Sequence, residues 1–339
     1  MKHGRKARGV RLDQVAERCG VSISTVSRAL SNSPGVRDDL RNHIIDTARA
    51  MNYPLLPSVV GRKVMLAASS VAMLDHARSQ FTMYVLDGLA ERARALGVEL
   101  LTRPVACDAD EVALLEEAAA DEAITGCLFL TLDADEMLTR ASGFAKPIVL
   151  VNGDDPAMRH SSVTPCNRSA AYLATSHLLS LGHRRILFLQ RPGRRTIRRR
   201  LEGWQDAMRG ADIDVDDLTV DVDDWLPELG EAAILSRIAA KADFTAVLAA
   251  GDSLAYGAMR ALQQSGIDVP GQVSVMGIDD LPVSAFSSPP LTTIHVPMQE
   301  IGAAALGLLL DELDGADKPP RRIELACRLV LRESTGPVV

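Results

Sequence analysis

From about residue 66 onward the chain alternates short apolar runs with amphipathic segments, a rhythm that few folds satisfy. Val71-Ala72-Met73-Leu74, Val98 to Thr102, Ile124 to Leu130 and Pro147 to Val151 read as strands, with helices at Tyr84 to Leu96 and Glu111 to Ala120 between them. After a polar stretch at 152 to 168 the pattern resumes with a helix at Ala170 to Leu181, a strand at Arg185 to Leu189 and a helix at Leu201 to Gly210. A strand at Ala246 to Ala250, a helix at Leu254 to Gly266 and a strand at Val273 to Ile278 complete it. Strands joined through helices run parallel, so the economical fold is α/β, with two successive doubly wound parallel-sheet lobes. A chain of 339 residues, 47% of them hydrophobic, has the mass to bury both cores and a smaller unit besides.

The smaller unit lies at the N-terminus. Residues 1 to 52 read as helical, and Tyr53-Pro54-Leu55-Leu56-Pro57 then interrupts with two prolines that a helix interior does not accept. The expected division is therefore a head at 1 to 52, a linker at 53 to 65 and a body at 66 to 339. Charge divides in the same place. Residues 1 to 63 carry 12 Lys and Arg against 5 Asp and Glu, whereas the rest carries 25 against 39. A basic head on an acidic body points to a head that meets a polyanion. The basic N-terminus is not followed by an apolar core and cleavage site, and no run of about 18 apolar residues occurs, so a cytoplasmic protein is expected. Five cysteines (Cys19, Cys107, Cys127, Cys166 and Cys327), an odd number without CxxC spacing, read as reduced thiols and give no zinc site.

Within the head, Leu12 to Leu30 carries the sharpest local signal. Val15, Ala16 and Cys19 fall at helical spacing, Gly20 can supply a left-handed turn, and Ser22 can cap a second helix that turns Val26 and Leu30 inward. This all-α arrangement is a helix-turn-helix. Its second helix presents Ile23, Ser24, Thr25, Ser27 and Arg28, short hydroxyls and a guanidinium suited to phosphate contact and base-edge readout in a major groove. The bland alternative is a structural helical hairpin.

Val21-Ser22-Ile23-Ser24-Thr25-Val26-Ser27-Arg28, followed by a third helix ending at Asn52-Tyr53, resembles the headpiece of the lactose/galactose repressor (LacI/GalR) family. The resemblance continues through Leu178 to Ile186, Arg200-Leu201-Glu202-Gly203-Trp204, Gly251 to Gly257, Val269 to Asp280 and Pro290 to Ile294, in the expected order. It implies a homodimeric, ligand-responsive DNA-binding transcription regulator, a repressor of carbohydrate catabolism or transport genes. Its body would be periplasmic-binding-protein-like, with a sugar or sugar derivative between the lobes. The implied operator is a near-palindromic duplex. The implied DNA-contacting set is Ser22, Ile23, Ser24, Thr25, Ser27, Arg28, Ser31, Asn32, Tyr53 and Arg62. The implied effector set is Asp75, Phe81, Arg200, Trp225, Gly251, Asp252 and Asp279, of which Arg200 and Asp279 match most securely.

Departures from the family pattern bear on both sets. A hinge helix in such repressors wedges a leucine into the minor groove, and the gapless match puts Arg62 at that place. Two readings stay open: an arginine in a narrow minor groove with Val59 or Val60 rephased to intercalate, or a linker whose cations touch phosphates. Gly251 stands where an asparagine is usual, and Cys166 where an acidic residue precedes Asn167, so two polar ligands are replaced. The arginines at 194, 195, 198 and 199 read as a solvated loop, and His76, His160, His177 and His183 as surface or capping groups.

Two rival classes weigh against the regulator: a non-transcriptional sugar-binding protein, and a sugar-modifying enzyme with a regulatory headpiece. The first needs export, which the basic head opposes. For the second, neither a phosphate loop nor GxGxxG, HExxH or GxSxG occurs, so the expectation is no enzyme, no cofactor and no metal.

Overall fold

The computed structural model describes residues 10–30, 35–51, 53, 59–70, 73, 80–313 and 318–338, which form two compact units, one ending at Gly61 and one beginning at Arg62. The first unit is three helices, α1 (Leu12–Cys19), α2 (Ile23–Leu30) and α3 (Asp38–Ala50). Gly20 ends α1 at φ 66°, a left-handed backbone that costs a glycine nothing. Ser22 then caps α2, its Oγ accepting from the Thr25 N–H at 3.1 Å. Val15, Ala16, Val26, Ala29, Ile44 and Ala48 close a small core that sets the angle between the helices. Arg41 on α3 donates to the carbonyl of Ala29 in the last turn of α2, where the helix dipole favours a cation.

The second unit contains two six-stranded sheets. The first runs β11-β5-β4-β3-β1-β2, from β1 (Lys63–Ser69), β2 (Glu99–Val105), β3 (Ile124–Leu130), β4 (Ile148–Val151), β5 (Ser161–Pro165) and β11 (Arg322–Leu325), all parallel. The second runs β12-β10-β9-β8-β6-β7, from β6 (Ile186–Gln190), β7 (Thr219–Asp221), β8 (Ala246–Ala249), β9 (Ser274–Asp279), β10 (Thr292–His295) and β12 (Arg328–Val330). Only β12 is antiparallel to its neighbour in that sheet. Helices α4 (Gln80–Leu96), α5 (Asp108–Ala120), α6 (Asp135–Ala141) and α11 (Met298–Leu313) cover the first sheet. Helices α7 (Asn167–Ser180), α8 (Arg195–Gly210), α9 (Pro227–Ala239) and α10 (Asp252–Gln264) serve the second. The chain passes between lobes three times: at Cys166, at Val296-Pro297 and at Ala326-Cys327. Among the described residues no helix is long and apolar enough to cross a membrane.

Several expectations shift. The first strand is Lys63–Ser69, which begins inside the expected linker, and Met73 of the run read as a strand is helical. The polar stretch at 152 to 168 hides β5, whose five residues are all buried. His183 is 2% exposed rather than superficial. Its ring meets the hydroxyls of Thr245 and Ser274 and the carbonyl of Gly336, which pins the C-terminal segment to the second sheet.

The Arg200-Leu201-Glu202-Gly203-Trp204 motif has a packing role as well as a polar one. Trp204 is fully buried and stacks on Phe188 of β6 at 5.5 Å, while Gly203 lets α8 approach α7 until a side chain there would collide with the backbone carbonyl of Arg168. A helical Gly→Ala change ordinarily gains about 0.5–1 kcal/mol. Gly203→Ala should instead destabilise by about 1–3 kcal/mol through forced separation of the helices. Gly210→Ala, in the same helix with open space around it, should be neutral or stabilising. Urea unfolding midpoints of the two variants measure the opposite signs.

Candidate functional site

On the first unit, α2 buries Val26 and Ala29 and turns its other face outward, with Ile23 51% exposed. Ser22, Ser24, Ser27 and Arg28 are exposed beside it, and Thr25 is half-buried. Ser22, Ser24 and Thr25 hold one another through 2.8 Å hydroxyl contacts, and Arg28 donates back to the Ser24 carbonyl at 3.3 Å, so the face is ordered before any partner arrives. Tyr53 packs against the three-helix core. Arg62 belongs to the second unit, where its carbonyl accepts from the Glu99 N–H. Ser31, Asn32 and Asp75 lie outside the described residues.

In the second unit, the carboxyl ends of both sheets border a cavity of about 360 Å³. The first lobe contributes Ser69, Gln80, Phe81, Thr82, Thr131 and Asn152, and the second Arg194, Thr196, Arg200, Trp225, Gly251 and Asp279 among others. Ligands of open parallel sheets bind at such edges. Arg200, on the second turn of α8, is 5% exposed. Its Nε donates to Asn167 Oδ1 at 2.8 Å, its guanidinium also reaches the Ala250 carbonyl, and it faces Asp279 Oδ1 at 3.4 Å. Burial pushes the Asp279 carboxyl up to about 7, with Arg200 pulling it down and Asp252 adding to the rise. The pair therefore offers a fixed fork of donors beside a carboxyl poised near neutrality.

The backbone around the cavity is strained. Thr131, Asn152, Asp279 and Asp280 have φ of 60°, 50°, 135° and 60°, each at or just past the carboxyl end of a strand. Such conformations cost about 1–3 kcal/mol apiece in a residue with a side chain, and they gather at ligand sites. Asp280 is held by Arg332 at 2.6 Å and by His295 at 3.0 Å, which fixes the turn that aims Asp279.

Phe81, Arg200, Trp225, Gly251 and Asp279 of the expected effector set come together here. Asp252 does not. It is fully buried, and its carboxylate accepts from the Leu281 N–H and from the hydroxyls of Ser284 and Thr293, so it locks the loops behind the cavity instead of facing it. Gly251 has a steric meaning. A Cβ there would lie 3.2 Å from the Trp225 ring and 3.3 Å from Asp279 Oδ2, so an indole occupies the space that a longer side chain at 251 would take.

The arginine run is not a solvated loop. Arg195 to Arg199 form the opening of α8, and three of the run reach the first lobe. Arg194 donates to the Asn152 carbonyl at 2.6 Å, Arg195 meets the Asp133 carbonyl and Asp135, and Arg199 faces Asp154 at 3.4 Å. Sequence reading missed Arg194 because a cluster of charges on a helix looks the same whether it meets water or a second lobe, and it missed Thr196, Asn152 and Thr131 because small polar residues in or after such segments carry no local signal of a cavity. Cys166 serves a crossover, its N–H donating to the Leu325 carbonyl at 2.9 Å. Among the described residues no group of three His, Cys, Asp or Glu gathers as a metal site.

Comparison with known proteins places this geometry. Residues 11–54 match the model of bacterial regulatory proteins of the lacI family, and residues 175–335 match the periplasmic binding protein-like domain. The HTH-type transcriptional regulator reg1 of Streptomyces lividans is 33% identical over 96% of both chains. The HTH-type transcriptional regulator MalR of Streptomyces coelicolor is 32% identical, again over 96% of each. The lac repressor dimer bound to operator and the anti-inducer ONPF superposes with a TM-score of 0.73 at 26% identity, covering 97% of this chain and 100% of that one. A complex of the transcriptional regulator CelR with cellobiose gives a TM-score of 0.73 at 27% identity, covering 96% and 99%. With α2 presented outward on a helix-turn-helix unit and a cavity at the carboxyl edges of two doubly wound lobes, the chain belongs to the LacI family of DNA-binding transcriptional regulators.

Proposed function

We propose that this regulator reads a near-palindromic operator through α2 as a homodimer, and that a carbohydrate-like effector held between its lobes alters operator affinity. The observation that carries the reading is the Arg200–Asp279 pair inside a cavity walled by both lobes. A guanidinium fork and a carboxylate serve adjacent hydroxyls of a sugar ring, and Trp225 supplies an apolar face for the ring itself. The CelR structure contains cellobiose and the lac repressor structure an anti-inducer, in bodies of the same fold. A ligand touching both lobes favours their closed arrangement, and it shifts DNA affinity only by its difference in affinity for the two arrangements. Pairing of two chains has support in Phe286, 86% exposed, beside Val283 at 45%.

Readout through α2 sets the first expectation here. Selection from random duplexes should return a dyad-symmetric site with half-sites about one helical turn apart. Replacing Ile23 and Ser24 should change the preferred sequence while leaving the salt dependence of binding nearly intact, because phosphate contacts remain. An asymmetric selected site would sink the dimeric readout.

Arg200→Ala and Asp279→Asn should each keep operator binding in a gel shift while weakening the effector response by roughly 10- to 150-fold, the effect of losing a charge-assisted contact of about 1.5–3 kcal/mol. Sizing and circular dichroism accompany the gel shift. If both variants fold and respond to effector as the parent does, neither residue belongs to the site.

The raised carboxyl also gives a sign. Asp279 titrates near 7 in the folded chain and near the ordinary aspartate value, about 3.9, when unfolded, so the folded state holds the extra proton between those limits. Its contribution to stability is therefore full below about pH 4 and is lost as pH rises through 7. The difference in urea midpoint between parent and Asp279→Asn, taken at pH 5 and pH 8, should move against the parent at the higher pH.

A further inference from the structure

Helix α8 opens onto the cavity without an acidic residue in its first turn and without a side-chain cap from Arg194. Its leading N–H groups and the positive end of its dipole thus remain available. Beside them, Thr196 is 3% exposed and its hydroxyl has no partner among the described residues. Asn152, 4% exposed, leaves its side-chain oxygen unmatched, and the buried Nε of Arg194 is likewise unmatched. All three residues line the same cavity. Buried polar atoms without partners cost about 1–3 kcal/mol each, and three of them in one cavity, contributed by both lobes, mark the place a ligand fills.

Arg191 and Arg194 both border the cavity and, among the described residues, bond only backbone carbonyls, those of Asp223 and Asn152. Burial lowers Arg194 to about 10; Asp133 opposes the fall, and repulsion from Arg200 and Arg191 adds to it. Arg200 already has Asp279. Three carboxylates line the cavity as well: Asp279 faces Arg200, Asp223 is exposed, where water screens it, and Asp224 accepts from the Trp225 N–H at 2.8 Å.

We propose that the effector carries an anionic group, a carboxylate or a phosphate ester, which seats against the N-terminus of α8 between Arg191, Arg194 and Thr196. Its hydroxyl-bearing part then reaches Asn152, Arg200 and Asp279. The proposal rests on the reading of the cleft as the effector site and narrows the ligand to an acidic or phosphorylated polyol. Helix N-termini and paired guanidiniums are the two protein devices best matched to such oxygens. The anion relieves the repulsion that Arg200 and Arg191 exert on Arg194.

Thermal unfolding of the full chain with glucose, gluconate, glucuronate, glucose 6-phosphate and inorganic phosphate tests this, with Arg194→Gln and the isosteric Thr196→Val as variants and Arg209→Gln as a surface control. At least one anion should raise the midpoint of the parent and of Arg209→Gln while neutral glucose does not. Arg194→Gln should weaken that anion about tenfold or more. Gluconate and glucuronate against glucose 6-phosphate separate carboxylate from phosphate. Shifts equal in parent and both cavity variants would place the anion away from Arg194 and Thr196 and overturn the proposal, as would no shift with any anion. Stabilisation by glucose alone would overturn it too, yet leave the cleft as the effector site. An Arg194-dependent anion shift that Arg200→Ala and Asp279→Asn leave untouched would keep the anion subsite and remove those two residues from it.

Discussion

A guanidinium buried to 5% exposure is tolerable only when it finds acceptors, and Arg200 finds them on three separate elements. Asn167 comes from the start of α7, the Ala250 carbonyl from the end of β8 and Asp279 from the end of β9. The same helix that carries Arg200 is pressed on α7 through Gly203 and locked into the core by Trp204. One cation therefore sets the relative positions of two helices and two strand ends, and the cavity wall is the outer surface of that arrangement. The strained backbone at Asp279 persists because Arg332 and His295 hold Asp280, its neighbour, from both sides.

Much of the architecture was legible because its strands are apolar and buried on both faces, which leaves short continuous runs such as Ile124–Leu130 and Ile148–Val151. The failures have physical reasons. Residues 63 to 74 hold two apolar runs in succession, and nothing in their period says which one enters the sheet; pairing with β2 and β3 decides for Lys63–Ser69. In β5, Ser161, Ser162 and Thr164 occupy buried positions, and Ser161 is satisfied by Glu312 and the Arg321 N–H, about 150 residues away in sequence. Short hydroxyl side chains report polarity, whereas the fold uses their size.

The site was half legible for a related reason. Arg200 and Asp279 stand in local motifs, and Trp225 and Phe81 were found by position. Asp252 belongs to a motif just as firmly, but a carboxylate that ties loops and one that touches a ligand look alike until the acceptor directions are known. Arg194 and Thr196 were hidden in the opposite way. Arg194 finds its partner on the other lobe and Thr196 lines the cavity, and no window along the chain contains that information.

The three crossings between lobes bear on how the protein is made. Neither lobe is a continuous stretch of chain: the first sheet takes β11 and α11 from residues beyond 297, and the second ends in β12. A ribosome that has released residues 62 to 165 has exposed five strands of the first sheet while the helix that covers β3, β4 and β5 is still unmade. Both lobes thus close only as the last forty or so residues emerge, whereas the three-helix head has all its core partners within the first 53. The DNA-reading unit can be in place on a nascent chain well before the unit that regulates it.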